Sequence, residues 1–144
     1  TAATLLVKDI LSMGTMSSNP TSLVDLNGTL LFVANDIVTG QELWRSDGTT
    51  VGTTQVRDLW MGDWTGTHSL QKPLGSSRVF AVADNAIDGF ELWVTDGTSA
   101  GTQTFHNFAA GPLSPQIGGI VPVGNRYFVT VDDGVTGAEP WTFQ

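Results

Sequence analysis

One five-residue phrase returns three times along this chain: Gly40-Gln41-Glu42-Leu43-Trp44, then Gly89-Phe90-Glu91-Leu92-Trp93, then Gly137-Ala138-Glu139-Pro140-Trp141. The tryptophans stand 49 and then 48 residues apart. Self-similarity at such a period is the mark of a repeat architecture, in which each unit completes its core against its neighbours. The phrase belongs to longer units. Asp47-Gly48-Thr49 and Asp96-Gly97-Thr98 follow the first two tryptophans, then Gly52-Thr53 and Gly101-Thr102, then Val56-Arg57-Asp58-Leu59 and the more divergent Phe105-His106-Asn107-Phe108. The segment Val7-Lys8-Asp9-Ile10 near the start of the chain is this last piece once more.

Within a unit, period-two alternation and turn residues mark out four short strands. In the first unit these are Thr21 to Leu26, Thr29 to Asn35, Gln41 to Asp47 and Thr53 to Leu59. Asn27-Gly28 supplies the two positive φ angles of a type I′ hairpin, Asn35 to Gly40 forms the next turn, and Asp47-Gly48 opens the third. Four antiparallel strands joined by tight turns, and repeated, describe the blades of a β-propeller. Leu31, Phe80 and Phe128 then recur as apolar positions facing a neighbouring blade, with Val33 and Val82 at a matching place.

The whole pattern resembles the bacterial ELW-xx-DGT repeat family, and the resemblance covers nearly the entire chain. It implies propeller-like repeats in a secreted or surface-exposed protein, and it implies no particular chemistry. The third unit departs from the family pattern, with Pro140 in place of leucine and no Asp-Gly-Thr before Gln144.

Counting strands sharpens the expectation to an all-β fold in one domain over residues 1–144. A closing strand lies at 4–10, blade 1 at about 21–59, blade 2 at about 69–108, and blade 3 at about 117–144, to be completed by an N-terminal strand. Three blades are too few to close a ring, since propellers use roughly four to eight. The expected assembly is therefore a dimer: two chains form a six-bladed ring, each lending its N-terminal strand to the last blade of the other. An open strand-exchanged polymer and a fragment of a longer propeller are the alternatives.

Composition narrows the partners. Net charge is −8, with fourteen Asp and Glu against six Lys and Arg, so the basic face that nucleic acid requires is missing. No run of roughly eighteen apolar residues offers a membrane span. Thr1 to Leu11 has neither the basic start nor the apolar run of a signal peptide, as a processed secreted chain would also lack them. With no cysteine, disulfide and thiolate chemistry drop out.

Catalytic patterns are sparse. The chain has two histidines, His68 and His106, and neither a G-x-S-x-G elbow nor an H-E-x-x-H pair, so a noncatalytic role is expected. His106 takes the repeat position of Lys8 and Arg57, a strand position on the surface. Acidic residues beside Gly-containing turns form a candidate calcium set: Asp36 and Glu42, Asp84 and Glu91, Asp133 and Glu139. The same residues serve as turn formers, because their side chains bond nearby backbone groups; no other cofactor is indicated. Trp60 and Trp64 have no counterpart in the other units. With Asp63 and His68 they suit a flat platform for the C–H face of a sugar ring, or else they bury at a subunit contact, where tryptophan is also enriched. The expected function is an extracellular or cell-surface binding module, lectin-like, with a glycan as the ligand to test. The rival reading is a structural or adhesion protein whose self-assembly by strand exchange is itself the function.

Overall fold

The structure, a computed structural model, describes residues 4–59, 66–108 and 115–144. These form eleven β-strands and no helix. Strands β1 (Thr21–Leu26), β2 (Thr29–Asn35), β3 (Gln41–Ser46) and β4 (Thr54–Arg57) make the first sheet. Strands β5 (Thr67–Gln71), β6 (Val79–Asp84), β7 (Phe90–Thr95) and β8 (Gln103–His106) make the second. The third holds β9 (Gln116–Val123), β10 (Arg126–Asp132) and β11 (Ala138–Phe143). Every pairing is antiparallel and between consecutive strands, so each sheet is a simple meander.

The turns form for the reasons read in the sequence. Asn27 and Gly28 have φ of 53° and 87°, and Leu26 pairs with Thr29 across them, the two-residue hairpin expected there. After β3 and β7 the Asp-Gly-Thr segment winds into a hydrogen-bonded circuit that is nearly identical in both copies. The Asp47 carboxylate accepts from the Thr49 N–H at 2.9 Å and its hydroxyl at 2.7 Å, while the Thr49 hydroxyl accepts from the Gly52 N–H at 2.9 Å. Asp96, Thr98 and Gly101 repeat this at 2.9, 2.7 and 3.0 Å. Buried hydroxyl pairs close the circuit, Ser46 with Thr53 and Thr95 with Thr102, each at 2.7 Å. Gly52 and Gly101 are glycine because a Cβ at either place would collide with the aspartate carboxylate.

The sheets pack face to face in chain order. Leu31, Val33 and Leu43 of the first sheet meet Val79, Ala81, Ala83 and Trp93 of the second in one core. Phe80 and Leu92, on the other face of the second sheet, meet Ile120, Val129 and Val131 of the third. Since both faces of the second sheet are covered, all six residues of β6 are buried. In β10 burial alternates, because among the described residues one face of the third sheet has no sheet against it. Phe80 is accordingly 1 % exposed, and its repeat counterpart Phe128 in the single chain is 38 % exposed.

Residues 4–10, expected to close the last blade of a second chain, pair with no strand among the described residues of the single chain and rest against the first sheet. What holds them there is side-chain contact: Lys8 with Trp44 and the Thr53 carbonyl, the Thr50 hydroxyl with the Val7 carbonyl, and Ile10 with Phe32, Ala34 and Trp44, so the segment meets the face of that sheet.

Candidate interaction site

Two surfaces of the molecule carry the repeat beyond the three sheets. The first is where residues 4–10 sit. The Lys8 ammonium donates to the Thr53 carbonyl at 2.7 Å and stands 6.0 Å from the centre of the Trp44 ring. One repeat later, the Arg57 guanidinium donates to the Thr102 carbonyl at 2.7 Å and stands 5.9 Å from the centre of Trp93. The two contacts are the same contact. Arg57 belongs to β4 of the first sheet and reaches the second; Lys8 reaches the first sheet from the position a preceding β4 would hold. Ile10 completes the seat by packing on Phe32, Ala34 and Trp44. Leu5 and Leu6 remain largely exposed beside it.

The second surface is the outer edge of the third sheet. In the other sheets the third strand carries a fourth, with Leu43 opposite Arg57 and Leu92 opposite His106. Among the described residues β11 pairs only with β10, so its other edge is open. An open edge is a row of unpaired backbone donors and acceptors, a template for another strand.

The glutamate of the repeated phrase proves to be part of the same machinery. Glu42 and Glu91 are 0 % and 1 % exposed, and each carboxylate accepts a backbone N–H that lies just after the fourth strand: from Leu59 at 3.3 Å and from Phe108 at 2.7 Å. Gly66 lies against the Glu42 carboxylate so closely that a Cβ would overlap it. Glu139, the third copy, is exposed.

The remaining acidic candidates serve turns. The Asp36 carboxylate accepts from the N–H of Val38 and Thr39 and from the Thr39 hydroxyl, and Asp133 does the same for Val135 and Thr136. Asp84 accepts from the Ala86 N–H. Among the described residues no three His, Asp or Glu side chains converge as a cation shell would require. Hydrogen bonds from Thr49, Thr98 and the backbone of Thr136 hold Asp47, Asp96 and Asp133 below the ordinary aspartate value of 3.8.

Of the sugar-platform residues, Trp60, Asp63 and Trp64 lie outside the described residues. His68 is exposed on β5, its ring edge-on to Phe90 at 5.6 Å. It borders a cleft of about 290 Å³ with Val82, Phe90, Pro115, Gln116 and Ile117. Phe90 and Gln116 were not singled out in the sequence. The first stands one residue before the repeated glutamate, where the other units have Gln41 and Ala138, and that substitution is the signal that marks it.

Comparison of the chain with protein-family models, with curated proteins and with solved structures finds no match.

Proposed function

We propose that the chain is an ELW-xx-DGT repeat protein that works without catalysis, outside the cell or at its surface, by assembling. Its three sheets are propeller blades, and two copies join in a six-bladed ring, residues 4–10 of each serving as the fourth strand of the other's last blade. One observation carries this reading: Lys8 grips Trp44 and the Thr53 carbonyl as Arg57 grips Trp93 and the Thr102 carbonyl, which supports reading the segment as the fourth strand of a preceding blade. The complementary partner for that strand is an open third-strand edge, and β11 offers one. Light scattering on the full chain and on a chain lacking residues 1–10 tests it. A dimer that becomes monomeric on truncation is expected; a full-length chain that stays monomeric at all concentrations sinks the proposal.

The cleft beside His68 favours a second reading in which the assembled ring binds a small ligand with one apolar face, a glycan first. An aromatic wall at Phe90 with the Gln116 amide nearby is the combination that holds a sugar ring. A glycan array on the wild type, repeated on Trp60→Ala, Trp64→Ala and Phe90→Ala, checks this. A signal that all three variants retain would rule out these residues as the binding surface.

A further inference from the structure

We infer that Glu139 is the residue that recognises the incoming strand and fixes its register, by accepting the Ile10 N–H of a second copy of this chain. The inference rests on the strand-exchange reading and adds to it a recognition residue and a pairing scheme.

Three copies of one glutamate stand in two different settings. In the first two sheets the carboxylate accepts the backbone N–H of a residue 17 positions further along, Leu59 for Glu42 and Phe108 for Glu91. That acceptor bond sits just past the end of the fourth strand, so it clamps the strand where the ladder stops. In the third sheet the same glutamate is exposed and reaches no hydrogen-bond donor among the described residues. Aligned by the repeat, the residue that corresponds to Leu59 and Phe108 in the segment 4–10 is Ile10, since Val7-Lys8-Asp9-Ile10 matches Val56-Arg57-Asp58-Leu59.

The same alignment sets the ladder. Arg57, Gln55 and Thr54 stand opposite Leu43, Trp44 and Arg45; His106, Thr104 and Gln103 stand opposite Leu92, Trp93 and Val94. On β11 the scheme becomes Lys8 opposite Pro140, Leu6 opposite Trp141 and Leu5 opposite Thr142. Pro140 withdraws one ladder donor, at the point where both complete sheets already carry a register shift, and proline is tolerated at such irregularities. The incoming Leu5 and Leu6 are exposed in the single chain and would lose water on docking. Lys8 keeps its hold on Trp44 of its own chain throughout, as Arg57 keeps its hold on Trp93 while pairing with β3, so one residue ties the two copies together.

Sedimentation equilibrium of the wild type, Glu139→Ala and Glu139→Gln, with a cysteine cross-link as a second readout, tests the inference. A charge-assisted hydrogen bond of this kind makes Glu139→Ala weaken association by about tenfold to a hundredfold, with Glu139→Gln between, since the amide keeps an acceptor oxygen. Melting of the dilute, monomeric protein stays unchanged in both variants. Because the chain has no cysteine of its own, Leu5→Cys in one copy and Thr142→Cys in the other form an intermolecular disulfide on oxidation, while Leu6→Cys with Thr142→Cys, one residue out of register, does not. A wild type that never associates removes both the strand-exchange reading and this inference. A wild type that dimerises with Glu139→Ala at full affinity, or that cross-links only through Leu6, overturns this inference alone.

Discussion

Replacing Phe80 and Phe128 by alanine, one at a time, separates the packing between sheets from the packing within them. The two are repeat counterparts on the middle strands β6 and β10, identical in chemistry and different in surroundings. Phe80 is buried against the third sheet, with ring centres at 5.2 Å to Tyr127 and 5.8 Å to Phe143, and lies 5.5 Å from Phe105 of its own sheet. Truncating a fully buried phenylalanine costs about 3–5 kcal/mol, because the cavity left behind adds to the lost transfer energy. The ring lies edge-on to Phe105 and Tyr127, which places Phe80→Ala toward the upper part of that range. Phe128 is 38 % exposed and faces no sheet among the described residues, so its truncation in the monomer costs roughly 1–2 kcal/mol, the transfer energy of the part that is buried. Urea unfolding followed by tryptophan fluorescence, on dilute protein at constant m, gives both values. Equal costs for the two variants would refute the claim that the second sheet is covered on both faces and the third on one.

Three further outcomes follow from the local geometry. Gly101→Ala drives a Cβ into the Asp96 carboxylate and breaks its bonds to Thr98; thermal unfolding shows a loss of about 1–3 kcal/mol, whereas Gly124→Ala, with open space around it but a positive φ, costs about 1 kcal/mol. Arg57→Ala removes the bond to the Thr102 carbonyl and the contact with Trp93, for roughly 1–2 kcal/mol in the same assay, and Arg57→Lys recovers part of it, as Lys8 makes the equivalent contact. Asp47, Asp96 and Asp133 have folded values held below the ordinary 3.8, so their stabilisation is fully present above that pH and is lost as pH falls through the folded values. Melting temperature measured downward from pH 5 therefore drops, and the gap between wild type and Asp96→Asn narrows with it; a gap that widens on acidification would contradict the hydrogen-bond assignment.

Much of the architecture is legible in the sequence because its determinants are local. Asn27-Gly28 dictates a hairpin through its two positive φ angles, and the Asp-Gly-Thr turns close on themselves within seven residues. What stayed hidden depends on partners far away in the chain. Glu42 and Glu91 read as turn or calcium residues because their neighbours are turn residues, yet they are bonded to amides 17 positions on, which no local pattern displays. Phe128 has the same apolar character as Phe80, and only the presence of a sheet on one side distinguishes them. Lys8 and Arg57 align plainly in sequence, but their shared grip on a tryptophan one repeat unit ahead requires the stacked sheets. Trp60, Asp63 and Trp64 lie outside the described residues, so of the sugar platform only His68 has a described place, at the rim of a cleft.

Amide hydrogen exchange of β11, recorded at protein concentrations on either side of the association midpoint, tests the assembly most directly. Strands β3 and β7 serve as internal standards, since each is already paired on both edges. The account predicts that β11 amides facing the open edge exchange fast in dilute protein and approach the protection of β3 and β7 in concentrated protein. A chain lacking residues 1–10 should show no such gain. Amides of β11 that exchange as an exposed edge at every concentration would contradict it.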